Sequence, residues 1–517
     1  MNSPHPSRSI GTLACQRIDH VFDAAFGPAG NPLRHLGALG FLFLWLIVAS
    51  GLYLYAAFDT SVTGAYRSVA WLSHEQWYLG GVLRSLHRYA ADAFIAVTLL
   101  HLLREFLLGR YSGFRRYSWL TGVPLLWFAY ASGIVGFWLG WDRLAQFSAL
   151  ATAEWLDRLP LVATPLTRNF MSNAAVSDRL FSLFIFVHIG VPLLLLFGLW
   201  FHIRRISRAE VFPEPALAAG ALVALLALAL VLPVTSQGPA DLSRAPGLLA
   251  LDWLYLFIHP LMYAGSPGAL WALVLGATLF LLALPALPRP AAPSAVVHPD
   301  ACSGCRRCAD DCPYAAIAMV PHPDRPGREL ARVDADLCAG CGICTGSCPS
   351  STPFRSGRAL VTGIDMPQLP LAQLRRSLDE KLAATSGDGS IVLFGCDCGP
   401  RVDSLAGADV ASLSLICTGM LPPSFVEYAL RIGAEGVLVS GCRAGGCAFR
   451  LGNRWTEERL HGAREPQLRA GVERDRLRLA WADRGEENAL ARALAEFRTT
   501  LAAAAAAAPL RRISVRD

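Results

Sequence analysis

The chain has 517 residues, of which 53% are hydrophobic and only 17% are charged. Ordinary soluble proteins carry roughly 25% charged residues, so this composition excludes a wholly soluble chain and predicts membrane-spanning segments. The net charge of +6 is small, and the near-exclusive use of arginine for positive charge indicates a GC-rich coding bias rather than nucleic-acid binding. Of the fourteen cysteines, all except Cys15 follow residue 300, so the chain is predicted to be a fusion of several domains.

Six apolar segments in the first half are each long enough to cross a hydrocarbon core of about 30 Å. They are residues 36–58, 88–108, 119–141, 180–202, 215–234 and 267–287. The segment 248–263 is apolar but shorter and contains Asp252 and His259, which predicts an interfacial or re-entrant helix. Arginines cluster on the side that holds both termini, and the positive-inside rule makes that side cytoplasmic.

Four histidines lie in the second and fourth of these spans, in two pairs that are each fourteen residues apart: His87 and His101, His188 and His202. Fourteen residues turn a helix by about 1400° and raise it by about 21 Å, so each pair lies on one helix face at two depths. Because both helices run in the same direction, His87 should meet His188 near the outer surface. His101 should likewise meet His202 near the cytoplasm. Facing imidazoles are typical of bis-histidine haem ligation, and the alternative is a polar side chain satisfied between helices.

Four glycines in the first and third spans repeat the same spacing: Gly37, Gly51, Gly122 and Gly136. Glycine lets a flat macrocycle approach a helix backbone closely. Because these two helices run outward, Gly37 and Gly122 are predicted to flank the cytoplasmic-side haem b. Gly51 and Gly136 are predicted to flank the outer haem b. Close helix packing is the alternative for any one glycine pair, and the shared spacing favours the haem interpretation.

Residues 15–290 resemble the cytochrome b family of quinol-oxidising bc-type complexes, through text that includes NPLRHLGALGF, RSLHRYAADAFIAVTLLH and HIGVP. The resemblance implies an all-α transmembrane bundle over residues 1–290, two haem b groups, a quinone or quinol substrate and a homodimer. It also implies that Arg84 lies near a haem propionate. His35 stands where some members carry a cysteine that tethers a third haem, so no covalent third haem is expected.

The quinol-site motif of that family, PEWY, is represented here by Leu251-Asp252-Trp253-Leu254, which keeps a carboxylate. Oxidation of a quinol releases protons, and a carboxylate near the outer haem can accept one as a general base. Asp252 is therefore the predicted proton acceptor of an outer quinone pocket. The alternative is an aspartate that marks the boundary between water and membrane.

Eight cysteines follow a Pro/Ala-rich linker in two copies of the spacing Cys-x2-Cys-x2-Cys-x3-Cys-Pro. This spacing is typical of bacterial ferredoxins with two clusters, in which each fourth cysteine ligates the other cluster. It predicts an α+β domain over residues 296–355 with two [4Fe-4S] clusters. The first cluster would use Cys302, Cys305, Cys308 and Cys348, and the second would use Cys338, Cys341, Cys344 and Cys312. Zinc is the alternative metal for Cys-x2-Cys pairs, and the doubled Cys-Pro endings disfavour it.

A linker over residues 356–389 is predicted to precede a third cysteine-bearing domain over 390–500 and an Ala-rich tail over 501–517. Strand-like runs at 391–395, 411–416 and 436–440 alternate with helical stretches, which predicts a parallel α/β sheet. Five cysteines follow the ends of these runs: Cys396, Cys398, Cys417, Cys442 and Cys447. Because the carboxyl ends of parallel strands share one edge, their convergence favours a metal site over buried free thiols.

The text CTGMLPPSFVEYALRIGAEGVLVSGCRAGGCAFRLGNRW in this third domain resembles the delta subunit of methyl-viologen-reducing hydrogenases. The resemblance implies a [2Fe-2S] cluster and electron exchange with a cytosolic flavoprotein of the heterodisulfide reductase type. That family usually begins with Cys-x2-Cys, whereas this chain has Cys396-x-Cys398, so the fourth cluster ligand stays open.

The order of these parts predicts an oxidoreductase of a bacterial inner (cytoplasmic) membrane, with its iron–sulfur domains in the cytoplasm. It would exchange electrons between the quinone pool and a cytosolic flavoprotein or ferredoxin. One alternative is a membrane anchor subunit of a hydrogenase or heterodisulfide-reductase-like complex. A redox sensor is a third interpretation, although the sequence contains no recognisable kinase, cyclase or DNA-binding segment.

Overall fold

A computed structural model describes residues 10–160, 164–204, 206, 208–287, 293–354, 360–385, 389–443 and 446–513. These residues form two compact units. The helical unit is made of Arg8–Arg204 and Ala209–Pro288, and the cysteine-rich unit is made mainly of Arg289–Asp517. Each unit has its own core.

The described part of the helical unit contains ten α-helices. They are α1 (Ile10–Gly30), α2 (Leu36–Ala57), α3 (Ala65–His74), α4 (Val82–Leu107), α5 (Arg116–Leu139), α6 (Arg143–Leu156), α7 (Asp178–Ile203), α8 (Pro215–Val231), α9 (Ile258–Ala264) and α10 (Pro267–Ala283). Helix α1 is broken at Gly27, which has a φ of 73° just before Pro28. Only glycine adopts that conformation without steric cost.

A helix lies at each of the six predicted spans. The described residues include four helical segments that are long and apolar enough to cross a membrane: Leu36–Ala57, Gly113–Leu139, Asp178–Ile203 and Pro267–Ala286. Helix α8 is apolar but has 17 residues, and α4 has 26 residues but carries several charged side chains. The number of spans therefore stays a prediction.

The predicted interfacial helix over 248–263 is helical only within α9, so the prediction is wrong for residues 248–257. The Asp252 side chain explains this difference. Its Oδ1 atom accepts hydrogen bonds from the backbone N–H groups of Leu254 at 3.0 Å and Tyr255 at 2.6 Å. Aspartate side chains that bond nearby N–H groups in this way favour a turn over a helix.

The bundle is built from helix pairs, because α2 packs on α4, α5 packs on α7, and α8 also packs on α4. Its buried core includes Phe43 of α2, Ile95 of α4 and Leu126 of α5. At one end, Arg104 of α4 forms a two-bond ion pair with Asp19 of α1, with both distances at 2.8 Å. This buried pair fixes α1 against the bundle.

The first part of the cysteine-rich unit contains short elements between its cysteines. They are β1 (Val296–Val297), α11 (Arg307–Asp310), β2 (Ile317–Pro321), β3 (Glu329–Val333), α12 (Ile343–Ser347) and β4 (Ile364–Asp365). Strands β2 and β3 pair antiparallel, as do β1 and β4. Strand β4 lies in the predicted 356–389 linker, so that segment contains regular structure. Residues 356–359 and 386–388 of the linker lie outside the described residues.

The second part is an α/β layer structure, which confirms the predicted parallel sheet. Its elements are α13 (Leu371–Ala383), β5 (Ile391–Cys396), β6 (Val410–Leu415), α14 (Pro423–Arg431), β7 (Gly436–Gly441), α15 (Gly452–Leu460), β8 (Leu477–Trp481) and α16 (Glu487–Ile513). The four strands are parallel in the order β6-β5-β7-β8, and β8 was not predicted. Helix α16 continues through the alanine-rich segment, whose last residues, 514–517, lie outside the described part of the chain.

Alternate residues of the central strand β5 face opposite sides of this sheet. Val392 and Phe394 pack with α13 and α14 in one core. Ile391 and Leu393 pack with α16 in the other core. All four are fully buried, which is typical of a parallel sheet covered on both faces. The carboxyl ends of the strands are thereby left as the edge that a ligand can approach.

Candidate metal centres

Helices α4 and α7 bring the imidazole rings of His87 and His188 close together in an edge-to-face arrangement. The ring centroids are 6.2 Å apart and the ring planes are inclined at 61°. Two metal–imidazole bonds of about 2 Å each, together with the two ring radii, match this separation. The Nδ1 atoms donate hydrogen bonds of 3.0 Å to the carbonyls of Ile47 and Ser132, respectively. Each Nε2 atom is then the nitrogen free to act as a ligand, in a fixed ring orientation.

The second predicted pair, His101 and His202, comes from the same two helices, and the two side chains are close enough to interact electrostatically. The Nδ1 atom of His202 lies 3.1 Å from Oγ1 of Thr121 on α5. This contact engages Nδ1 of His202 and leaves Nε2 as the candidate metal ligand.

Each of the four predicted glycines lies beside a different predicted histidine. A Cβ atom added at the glycine would meet the Cε1 atom of that imidazole. The distance from the added Cβ to Cε1 would be 3.0 Å for Gly51 and His87 and 2.7 Å for Gly136 and His188. It would be 3.7 Å for Gly37 and His101 and 3.2 Å for Gly122 and His202. The glycines thus form close-fitting cradles at both imidazole pairs, and the residues fit two haem groups held by two histidines each.

Arg84 lies three residues before His87, nearly one helical turn away. Its guanidinium donates hydrogen bonds to the hydroxyls of Ser73 at 2.5 Å and Ser236 at 2.9 Å. These partners are neutral, so the arginine keeps its positive charge available for an anion such as a propionate.

Asp252 forms an ion pair with Arg88, a residue that the sequence analysis did not single out. Arg88 also pairs with Asp92 of its own helix, and its guanidinium carbon lies 4.5 Å from the centre of the Phe137 ring. The sequence signal that points to Arg88 is a charged residue inside a predicted span. Because the Asp252 carboxylate is already bonded, it can accept a proton only if it releases Arg88.

The first ferredoxin-type set, Cys302, Cys305, Cys308 and Cys348, lines one small cavity. The structure therefore places the fourth cysteine of the second motif beside the first three of the first motif, and their role as ligands of one cluster stays a prediction. Burial raises the pKa of the Cys308 thiol to about 12. A buried thiolate there needs the positive charge of a metal to stabilise it, which fits a cluster ligand.

The second set is more deeply buried. Cys341 and Cys344 interact electrostatically with Cys312 and Cys338, so Cys312 joins the three cysteines of the second motif. The backbone N–H of Ala316 donates a hydrogen bond of 3.2 Å to the Cys312 sulfur. Burial raises the pKa of the Cys341 thiol to about 12, so these residues also fit a centre that supplies compensating positive charge.

The five cysteines of the α/β part converge at the carboxyl edge of its sheet. The sulfurs of Cys396 and Cys442 are 3.6 Å apart, and the N–H of Cys398 donates to the Cys396 sulfur at 3.3 Å. The thiols of Cys417 and Cys447 interact with each other. Among the described residues, no group of three or more His, Cys, Asp or Glu side chains is arranged to hold a single metal ion. The assignment of these thiols as cluster ligands stays a prediction.

Three family models match separate parts of the chain. Residues 29–209 match cytochrome b/b6/petB, residues 301–352 match the 4Fe-4S dicluster domain, and residues 404–504 match the delta subunit of methyl-viologen-reducing hydrogenase. A solved structure described as a hyperthermophilic respiratory Complex III is 18% identical over 54% of this chain and 83% of that chain, with a TM-score of 0.41.

The chain therefore joins a cytochrome b-like part, a 4Fe-4S dicluster part and a hydrogenase delta-subunit-like part, which confirms the three resemblances. It is an integral membrane protein of electron transfer. The cytochrome b match implies haem b, and the dicluster match implies iron–sulfur clusters.

We expect the purified chain to contain two b-type haems, extractable because the sequence has no Cys-x2-Cys-His attachment motif. The variant Gly136→Ala places a methyl group against the His188 ring, so its haem content should fall towards one per chain. A pyridine haemochrome assay measures this content. The control is Gly220→Ala on α8, where an added Cβ meets nothing within 4 Å. Full haem content and an unchanged spectrum in Gly136→Ala would contradict the assignment.

Proposed function

We propose that this chain transfers electrons between the quinone pool of a bacterial inner membrane and a cytosolic flavoprotein or ferredoxin. The observation that carries the proposal is the close pairing of His87 and His188, with ring centroids 6.2 Å apart beside glycine backbone, in the same chain as two ferredoxin-type cysteine sets. When bound, haems and iron–sulfur clusters supply the one-electron carriers that such a route requires.

In this proposal, residues 1–290 form the transmembrane di-haem domain and residues 296–355 form the dicluster domain on the cytoplasmic side. His87 and His188 hold the outer haem b, and His101 and His202 hold the cytoplasmic-side haem b. Arg84 offers its guanidinium to a propionate. The two ferredoxin-type cysteine sets hold two [4Fe-4S] clusters, and four of the five cysteines of the α/β domain hold a [2Fe-2S] cluster. Two copies of the chain form a homodimer.

Asp252 accepts a proton at the outer quinone pocket. Its partner Arg88 is shared with Asp92, so the guanidinium can keep one carboxylate partner while Asp252 takes up a proton. A buried guanidinium without any counter-ion would be costly, and the second carboxylate removes that cost.

The direct test uses the solubilised full-length chain under anaerobic conditions. A quinol analogue should reduce the b haems, as measured by their absorption bands. In the opposite direction, a low-potential viologen should reduce the iron–sulfur centres and then the haems, and added quinone should reoxidise them. Haems that respond to neither quinol nor quinone would contradict the proposed function.

The second candidate is a membrane anchor of a hydrogenase or heterodisulfide-reductase-like complex, and the match of residues 404–504 to a hydrogenase delta subunit favours it. The two candidates differ in the subunit that copurifies with the native complex. A flavoprotein supports the first candidate, whereas a nickel-containing large subunit with hydrogen-dependent haem reduction supports the second.

Iron analysis should exceed haem iron by about ten atoms per chain, from two four-iron clusters and one two-iron cluster. In Cys417→Ser the two-iron EPR signal should disappear, because this fully buried thiol is one of the proposed ligands, while the ferredoxin-type signals remain. The matched control is Cys15→Ser in α1, which lies outside all three cysteine sets. A two-iron signal that persists in Cys417→Ser would contradict the ligand assignment.

Asp252→Asn keeps the side-chain size but removes the proton acceptor and the ion pair with Arg88. We expect quinone-linked turnover to slow by about 10²-fold or more, the lower range for loss of a general base, with both haem spectra unchanged. Asp92→Asn is the comparison variant, because it removes the other carboxylate partner of Arg88 but keeps the proton acceptor, so it should slow turnover less. Equal slowing in both variants would assign the effect to the ion pairs, and full activity in Asp252→Asn would exclude the proton-acceptor role.

A further inference from the structure

One of the two ferredoxin-type cysteine sets packs directly against the cysteine site of the α/β domain. A buried cluster joins them, and its members are Cys341, Ile343, Cys417, Leu451 and Trp455. Helix α12, which carries Cys344, also meets the turn that follows Cys417. A Cβ atom added at Gly346 of α12 would lie 2.2 Å from the carbonyl oxygen of Gly419. The two backbones therefore touch with no side chain between them.

A single buried arginine bridges the same two segments. Arg459 of α15 is fully buried, and its guanidinium donates to the carbonyl of Gly419 at 2.8 Å and to Asp311 at 2.5 Å. Asp311 directly precedes Cys312 and also accepts a hydrogen bond from Arg464 at 2.7 Å. Burying a guanidinium is costly unless its charge is paired, so the bridge fixes the distance between the Cys312 and Cys417 segments.

The other ferredoxin-type set has different surroundings. Among the residues that the structure describes, those that line the cavity with Cys302, Cys305, Cys308 and Cys348 lie between 302 and 364, and none comes from the α/β sheet or the helices that follow it. The set that contains Cys341 therefore lies closer to the α/β cysteines than the set that contains Cys302 does.

We propose that the centre held by Cys312, Cys338, Cys341 and Cys344 is the direct electron-exchange partner of the α/β cysteine site, and that Arg459 is the positioning residue for this exchange. The inference rests on the proposed function and adds the order of the carriers to it. In each step one electron leaves one iron–sulfur centre and reduces the other, and no bond is made or broken. Because electron tunnelling slows exponentially with distance, the segments in direct contact provide the fastest route.

The experiment measures microwave power saturation of the two-iron EPR signal in the dithionite-reduced, full-length chain. A nearby reduced centre speeds the relaxation of that signal. The variant Cys344→Ser removes a ligand of the adjacent centre, and Cys305→Ser removes a ligand of the other centre. We expect loss of the relaxation enhancement in Cys344→Ser and its retention in Cys305→Ser. The opposite result would overturn the proposed order.

Two further variants leave every cysteine in place and test the contact itself. Arg459→Gln removes the charged bridge and Gly346→Ala inserts a methyl group between the two backbones, so both should weaken the enhancement at unchanged iron content. Arg454→Gln is the control on the same helix, because this arginine pairs with Glu458 at the surface. An undiminished enhancement in both test variants would overturn the role of Arg459. Absence of the two-iron signal from the native chain would instead overturn the proposed cofactor set and this inference together.

Discussion

The close approach of helix backbone to imidazole is the constraint on which the helical unit depends. At Gly136 an added Cβ would come within 2.7 Å of the His188 ring, and at Gly51 within 3.0 Å of the His87 ring. Each histidine-bearing helix therefore needs a partner helix with a glycine at the same depth. The pairing of α2 with α4 and of α5 with α7 meets this requirement twice, at two depths. This geometry explains why the histidine pairs and the glycine pairs share a spacing of fourteen residues in four helices.

In the cysteine-rich unit the ends of parallel strands bring the cysteines together, as helix pairing brings the histidines together in the helical unit. Parallel strands place their carboxyl ends at one edge, so cysteines that are far apart in sequence meet there without long loops. The 3.6 Å separation of the Cys396 and Cys442 sulfurs, from the ends of β5 and β7, is an example. The dicluster part is predicted to work differently, because the fourth cysteine of each motif copy ligates the cluster of the other copy.

Features that depend on local spacing could be predicted from the sequence. The histidine and glycine repeats, the cysteine motifs and three of the four parallel strands belong to this group. Helix α13 could also have been found, because Leu371, Leu374, Leu378 and Leu382 have helical spacing and are all buried. The ion pair of Arg88 with Asp252 could not, because it joins residues 164 positions apart. The turn after Asp252 is local, but the apolar pattern does not show whether this carboxylate bonds the N–H groups of Leu254 and Tyr255 or leaves them to a helix.

The two buried charge networks are built in opposite ways, and each suits the chemistry beside it. In the helical unit one guanidinium, Arg88, is shared by two carboxylates, so one acidic partner can change its bonding while the arginine stays paired. In the cysteine-rich unit one carboxylate, Asp311, is shared by Arg459 and Arg464, and Arg464 also pairs with Glu458. The two guanidinium groups are thus balanced by two carboxylates, so neither arginine is left with an unpaired charge. A fully paired network of this kind holds its members in place, and it thereby keeps the Cys312 and Cys417 segments at a fixed distance from each other.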